Sequence, residues 1–436
     1  VKQVKCDVAI IGSGVGGTTS AALLSKAGYK VIVVEKLPFL GGRMATLDHH
    51  GFKINTGAAM IGDEIHGKLC REVGASLELR SPESTFTFRF RGKDYPSPHK
   101  SFWKTILSYA ARDDAEAERA YRAFKNGIMW QEPSYSMSLD QWGRHFTDNP
   151  SILGIFHFLV LGIGINSYEI PAGEFFRQIT EGAVMTWASP PLGCGQFSEA
   201  LVGAIERMGG EVWSRCQALQ IKTKDGAATG IVVQKDGEAL EITAQAVISN
   251  APPRKTVELA GRPLFDPGYL KDAAAIQGTP MICFKMATDK QFKGLEGSSS
   301  LSLVEQNRRI FLILDYSSIC PEMAPKGKRL LEAAAVPVSI RPPYDFKKEV
   351  ALAMQDLRNT IPDFERDVKI LRINIAQGDW GVMGTLPGQT LPIKTPVYGL
   401  YTAGDRSAPK GWWCSLAAIK SGRLVAEDIQ KRFKPA

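Results

Sequence analysis

The chain has no C-x-x-C pair and no histidines or cysteines at metal-ligand spacing. Its seven cysteines, at 6, 70, 194, 216, 283, 320 and 414, are an odd set. That argues against a zinc-ribbon site or a dense disulfide framework, and it suits reduced thiols in the cytoplasm. The six histidines, at 49, 50, 66, 99, 145 and 157, likewise predict no metal, and His49-His50 reads as surface. The residues ahead of the first strand do not read as a secretory signal, and whether a leader precedes residue 1 stays open. The longest apolar run, 152–165, has 14 residues, short of the roughly 20 needed to span a bilayer. It reads as a buried helix; a greasy channel wall or a patch that docks on a membrane is the sharper alternative. Neither internal repeats nor low-complexity tracts occur. Charge is not one-sided: 53 Lys and Arg face 45 Asp and Glu, for a net +8. The basic residues are scattered, which reads as a solvated surface rather than a nucleic-acid site.

What is present is concentrated at the start. Asp7-Val8-Ala9-Ile10-Ile11 predicts a buried parallel strand, and Gly12-Ser13-Gly14-Val15-Gly16-Gly17 follows it as G-x-G-x-x-G. A small-residue helix over 18–27 and a strand over 30–34 complete a βαβ unit, with Glu35 at its end, 23 positions after Gly12. Gly12 permits the tight turn, Gly14 lets the backbone approach a pyrophosphate, and Gly17 brings helix and strand close. The helix N-terminus offers free N–H groups to phosphates. A carboxylate at Glu35 accepts from ribose hydroxyls and repels a 2′-phosphate. This fingerprint serves NAD and FAD alike. One copy is visible, which argues against a second, NAD(P)H-binding domain.

The next residues separate the two. Lys36 follows the acid, then Gly41-Gly42-Arg43, then Asn55-Thr56-Gly57-Ala58. Here the chain resembles the FAD-dependent amine oxidase and phytoene desaturase superfamily. The resemblance implies that Glu35, Lys36, Gly41, Gly42 and Arg43 run along the diphosphate and ribityl chain, with Gly57 and Ala58 beside the isoalloxazine. Asn55-Thr56 replaces the carboxylate usual before the second Gly. The resemblance continues through Ala218, implied to touch adenine through its backbone, and Asn250, at the end of a strand beside the cofactor. It closes on Gly404-Asp405, with Asp405 implied to face ribityl or diphosphate oxygens. A last helix over 411–426 is implied to aim its N-terminus at the flavin pyrimidine. Val15 and Gly16 complete the expected FAD-binding set, with Trp413 and Cys414 at its substrate end.

The implied fold class is α/β: a Rossmann-like FAD-binding domain of the GR2 type, over 1–80, 195–255 and 390–436. A discontinuous α+β substrate domain takes 81–194 and 256–389. Apolar spacing of three and four makes the first insertion mostly helical, over 115–124, 139–146, 152–161 and 174–182. The second shows strands over 280–286 and 309–314, and an amphipathic helix over 346–360 that stops before Pro362.

Candidate catalytic residues gather where the last helix meets the flavin: Trp412, Trp413 and Cys414. Family amine oxidases have an aromatic wall at the position matching Cys414, and Trp380 roughly matches the other wall. Each Trp also has a core-packing reading. Cys414 reads either as a thiol of lowered pKa at a helix N-terminus or as a small buried hydrophobe. Lys285 lies near the family position where a lysine holds a water against flavin N5; an exposed strand lysine is the plain alternative.

The lead expectation is an FAD-dependent dehydrogenase or desaturase that introduces C=C into an apolar or cyclic, including keto, substrate. The rivals are an amine oxidase, a non-redox flavin isomerase, and a binding protein like the GDP-dissociation inhibitors. The electron acceptor would be O2, a quinone or another protein. Expected partners are a small molecule and, peripherally, a membrane, with no nucleic acid; the oligomeric state stays open. The protein is expected in the cytoplasm, free or membrane-associated.

Overall fold

The computed structural model describes residues 2–84, 86–97, 100–181, 187–295, 300–305 and 309–435. His99 and Gly182, the end of one predicted helix, lie outside the described residues.

The fold is α/β. A five-stranded parallel sheet has the spatial order Leu400–Thr402, Ala246–Ser249, Val8–Ile11, Val31–Val34, Glu211–Trp213. Four of its strands are buried at every position, and Val8–Ile11 and Val31–Val34 are wholly apolar, because both faces are covered. Val8, Ile10, Val31 and Val33 pack against the helices Val15–Lys26, Gly195–Arg207 and Cys414–Arg432. Ala9, Ile11, Ile32 and Val34 pack against a four-stranded sheet that includes Cys216–Lys224 and Ala227–Lys235. The first helix starts at Val15, three residues before the expected 18. Glycines weaken helix propensity locally, but here Gly16 and Gly17 sit where any side chain would collide. A Cβ at Gly16 would strike Gly404 N, and one at Gly17 would strike Gly12 O.

A seven-stranded mixed sheet forms the second layer system. Its order is Lys369–Ala376, Met281–Thr288, Arg329–Ala335, Ile310–Asp315, Ser300–Leu303, Thr87–Phe90, Lys93–Pro96. The described part of the first insertion is mostly helical, and it adds the hairpin Thr87–Phe90/Lys93–Pro96, where Arg91-Gly92 makes the turn, both with positive φ. One sheet face packs on the helix Phe346–Thr360, whose start is set by the Asp345 side chain accepting from Lys348 N–H. The other face meets the helices Asp114–Met129, Leu139–Arg144, Pro150–Leu161 and Ala172–Glu181. Phe156 is the hub there, ringed by Trp103, Phe124, Trp142, Phe146 and Phe175. Buried aromatics of this kind contribute about 1.5–3 kcal/mol each by burial.

The apolar run 152–165 is thus a buried helix and turn, and part of it also lines a cavity, at Phe158, Leu159, Val160, Gly162 and Ile163. Among the described residues no helix is long and apolar enough to cross a membrane.

Candidate active site

One cavity of about 1230 Å³ runs from the Gly-rich turn to the seven-stranded sheet. At one end lie Gly12, Gly14, Val15 and Gly16, followed by Glu35 and Lys36. Gly12 has φ +94°, a conformation that L side chains rarely adopt. The helix beginning at Val15 has Gly14 as its N-cap and no side chain capping its first N–H groups. Those donors are left for an anion. Glu35 is fixed: its Oε2 accepts from Ser13 N–H (3.0 Å) and Ser13 O–H (2.9 Å), and Oε1 accepts from Leu37 N–H (2.9 Å). Gly17 does not line the cavity; it stands behind it, against the Gly12 carbonyl.

The wall also includes Gly41, Gly42, Arg43, Gly57, Ala58, Ala218, Asn250, Gly404 and Asp405. A Cβ on Gly14 would collide with Asn250 Oδ1, so only glycine leaves this backbone open there. Asn250 Nδ2 donates to Ala403 O at 2.7 Å. Asp405 is held by the Arg43 guanidinium through two hydrogen bonds of 2.7 and 2.9 Å, and by Gly384 N–H at 2.7 Å. Burial would raise its pKa, but Arg43 and Arg406 override this and leave it below the ordinary carboxylate value.

At the far end the helix Cys414–Arg432 presents its N-terminus, again without a side-chain cap, and Trp413, Cys414 and Ser415 line the cavity. The Cys414 thiol is pushed up to about 12 by burial first, then by Asp405, with Arg43 opposing. The lowered-pKa reading is therefore overturned; Cys414 is a shielded thiol near Val382 O at 3.7 Å. Its φ of +49° is unusual for a residue with a side chain. Trp412 is not part of the cavity wall; Lys420 Nζ lies 5.3 Å from its ring centroid. Trp413 meets Trp187 edge to face at 6.1 Å, while Trp380 sits at the rim, 43% exposed. His49, expected at the surface, also lines the cavity, beside exposed His50.

Lys285 is not an exposed strand lysine. It is 2% exposed and its Nζ lies 2.5 Å from Glu332 Oε2, itself 3% exposed. Tyr316 donates to the same oxygen at 2.6 Å. The pairing register explains the cluster. Arg372, Lys285, Glu332 and Leu314 form one cross-strand row of the cavity face, and Asn374, Cys283, Ala334 and Leu312 form the next. The Asn55 amide also reaches this cluster. Its Oδ1 accepts from Thr46 O–H (2.8 Å) and Cys194 N–H (3.0 Å), while its Nδ2 is buried without a hydrogen-bond partner among the described residues. A carboxylate at 55 would add a second negative charge beside Glu332, so the amide fits this neighbourhood better.

The sequence reading missed Glu332, Tyr316, Trp187, Gln178, His66 and Ser415. His66 is buried, its Nε2 2.9 Å from Ser415 Oγ. Among the described residues no group of three His, Cys, Asp or Glu side chains could hold a metal ion, and all seven cysteines are free.

The donor set fits a dinucleotide with a flavin: a glycine cradle, two uncapped helix N-termini in one cavity, and a fixed carboxylate at ribose distance along the chain. Comparison with known proteins decides the family. Residues 15–430 match the model of the flavin containing amine oxidoreductases. The chain belongs to this family. It is an FAD-dependent oxidoreductase, with the Rossmann-like FAD-binding and substrate-domain architecture of that class. It is 22% identical to the 15-cis-phytoene desaturase of Capsicum annuum, over 98% of this chain and 78% of that one. An oxidoreductase crystal structure from Methanosarcina mazei superposes with a TM-score of 0.84 at 26% identity, covering 97% of this chain and 100% of that one. A putrescine oxidase bound to putrescine shares the fold, with a TM-score of 0.70 at 15% identity, covering 99% and 100%.

Proposed function

We propose that this oxidoreductase is a dehydrogenase that introduces a C=C bond into an apolar or cyclic substrate, a ketone included. The observation that carries this reading is the compensated Lys285–Glu332 pair in a wall whose other residues, Arg372, Asn374 and Gln178 apart, are largely apolar on the substrate side. Phe158, Phe175, Phe311, Leu312 and Leu314 line the cavity around it. A cationic amine finds the Glu332 charge already compensated there, whereas a ring finds apolar surface. Cys414 at the cage position, in place of an aromatic, points the same way.

In this reading residues 1–80, 195–255 and 390–436 carry the cofactor, and 81–194 and 256–389 carry the substrate. Gly12, Gly14 and Gly16 with the Val15 helix would hold the pyrophosphate of FAD, Glu35 a ribose, and Arg43 with Asp405 the chain toward the flavin. When bound, FAD supplies the two-electron acceptor for a hydride. The chain's own part is to seat the substrate, exclude water and take the proton lost from the neighbouring carbon. Lys285–Glu332, buried at 2.5 Å, is the acid–base pair for that proton. O2, a quinone or another protein would then take the electrons. Ile373, Ile375 and Trp380 give the cavity an exposed apolar rim, which supports peripheral contact with a membrane.

The test is anaerobic mixing of the FAD-loaded protein with a panel of amines and a panel of cyclic ketones. Loss of the flavin's visible band with ketones supports the dehydrogenase. Rapid bleaching by an amine sinks it in favour of an amine oxidase.

A further inference from the structure

Three buried polar atoms of the cavity wall have no partner among the described residues: the acceptor Asn374 Oδ1 on the sheet, and two donors on the helical side. Gln178 is 5% exposed, lines the cavity, and leaves its Nε2 unbonded. Trp413 lines the cavity as well, and its Nε1 is shielded from solvent and unbonded. Their elements touch. A Cβ at Gly411 would lie 2.7 Å from Arg177 Cγ and 3.2 Å from Glu181 Cβ, so the segment before Trp413 packs on the helix that carries Gln178. The surroundings are apolar: Phe175 and Ile179 on the same helix, and Trp187 across the Trp413 ring.

Nine in ten or more buried polar groups find a partner. A buried donor left alone costs about 1–3 kcal/mol. Two of them at one cavity wall mark a place where a ligand supplies what the protein does not. An indole N–H donates and cannot accept, and an amide N–H does the same. The missing group is therefore an acceptor. At these two donors a protonated amine would bring a third donor and a hydrocarbon would bring nothing; an N–H of the ligand would find its acceptor at Asn374 Oδ1 on the sheet instead.

We propose that Gln178 and Trp413 bind the carbonyl oxygen of an apolar ketone and hold the enolate formed from it; this rests on the dehydrogenase reading. The α C–H bond breaks and its proton passes to the Lys285–Glu332 pair, while charge gathers on the oxygen facing the two donors. The electron pair of the β C–H bond leaves as hydride to FAD, the α,β double bond forms, and the carbonyl is restored. Donors placed where charge develops contribute more in a dry site than in water. The apolar faces of Phe175 and Trp187 would seat the ring.

The experiment uses the FAD-loaded protein without oxygen and two matched pairs: cyclohexanone with cyclohexane, and 1-tetralone with tetralin. Binding is read by perturbation of the flavin spectrum and by tryptophan quenching. The ketone of at least one pair should bind about a hundredfold tighter than its hydrocarbon, at about tenfold per donor. Gln178→Leu and Trp413→Phe should each remove about tenfold of that preference and leave hydrocarbon binding unchanged. Infrared difference spectra of the unaltered protein should show the bound carbonyl stretch lowered relative to the ketone in hexane. This readout needs no variant and stands if either variant misfolds. Equal binding within both pairs, binding of neither, a preference kept in the double variant, or an unshifted carbonyl stretch overturns the proposal. If an amine bleaches the flavin while the ketone preference and the shifted stretch persist, the dehydrogenase reading falls and the oxygen site remains. Reduction by ketones without the preference has the opposite meaning.

Discussion

Lys285 Nζ and Glu332 Oε2 lie 2.5 Å apart in the cavity wall, both almost without solvent contact. A buried pair of this kind gains little net stability, yet removing one partner strands the other charge. Lys285→Met should therefore lower unfolding free energy by about 3–5 kcal/mol, and the double variant Lys285→Met/Glu332→Gln should recover most of it. Urea unfolding of the apoproteins measures both. Glu332→Gln alone should slow flavin reduction by about a hundredfold or more while leaving FAD content unchanged. Loss of FAD from that variant would show that Glu332 acts on the fold of the site instead.

Arg43 and Asp405 meet through two parallel hydrogen bonds, with Asp405 the more buried partner at 4% side-chain exposure. Asp405 lies just beyond the Leu400–Thr402 strand, and Arg43 follows the Gly41-Gly42 turn; the pair ties the two cofactor segments together. Asp405→Asn keeps the shape and removes the charge. It should weaken FAD binding by about tenfold, through an Arg43 that is no longer held in place. Titration of apoprotein with FAD gives the number, and an unchanged dissociation constant would separate the pair from cofactor binding.

The Gly-rich turn, the strands around it and the Phe346–Thr360 helix were legible because their signals are local: glycine spacing, apolar runs, and amphipathic spacing that stops before Pro362. The Lys285–Glu332 pair was not. Glu332 lies 47 positions later and reaches Lys285 through an antiparallel register that tertiary packing sets. The hairpin 87–96 was also hidden, since its strands are four residues each and one of them ends in Pro96. Gln178 and Trp187 carried no pattern at all. Gln178 sits on the buried face of an amphipathic helix whose apolar spacing is set by Phe175 and Phe176. Burial also decides Cys414, whose helix N-terminus alone pointed the other way.

All seven cysteines are free, and burial pushes every thiol up, Cys216 to about 11 and the other six to about 12. At pH 8 a thiol near 12 is thiolate in only about one molecule in ten thousand. A disulfide reagent such as Ellman's should therefore leave the native protein essentially unlabelled over minutes and titrate all seven thiols in guanidinium. Fast labelling of Cys414 in the native protein would restore a reactive thiol to the site.

His66 sets a pH window for stability. It is fully buried, and desolvation lowers its pKa from 6.5 to about 4, with the Gly62 backbone bond opposing. Between those values the unfolded chain takes up a proton that the folded chain refuses. Stability is thus fully present above about pH 6.5, declines as the pH falls toward 4, and levels off below it. The shift corresponds to about 3 kcal/mol across the window. His66→Gln can still bond Ser415 and Gly62 but does not titrate, so its loss of stability from pH 6.5 to 4 should be smaller by about that amount. Urea midpoints for both proteins at half-unit pH steps test this, and parallel curves would remove His66 from the account. Because Ser415 stands at the start of the helix that lines the cavity, the same protonation should also disturb the flavin spectrum before the chain unfolds.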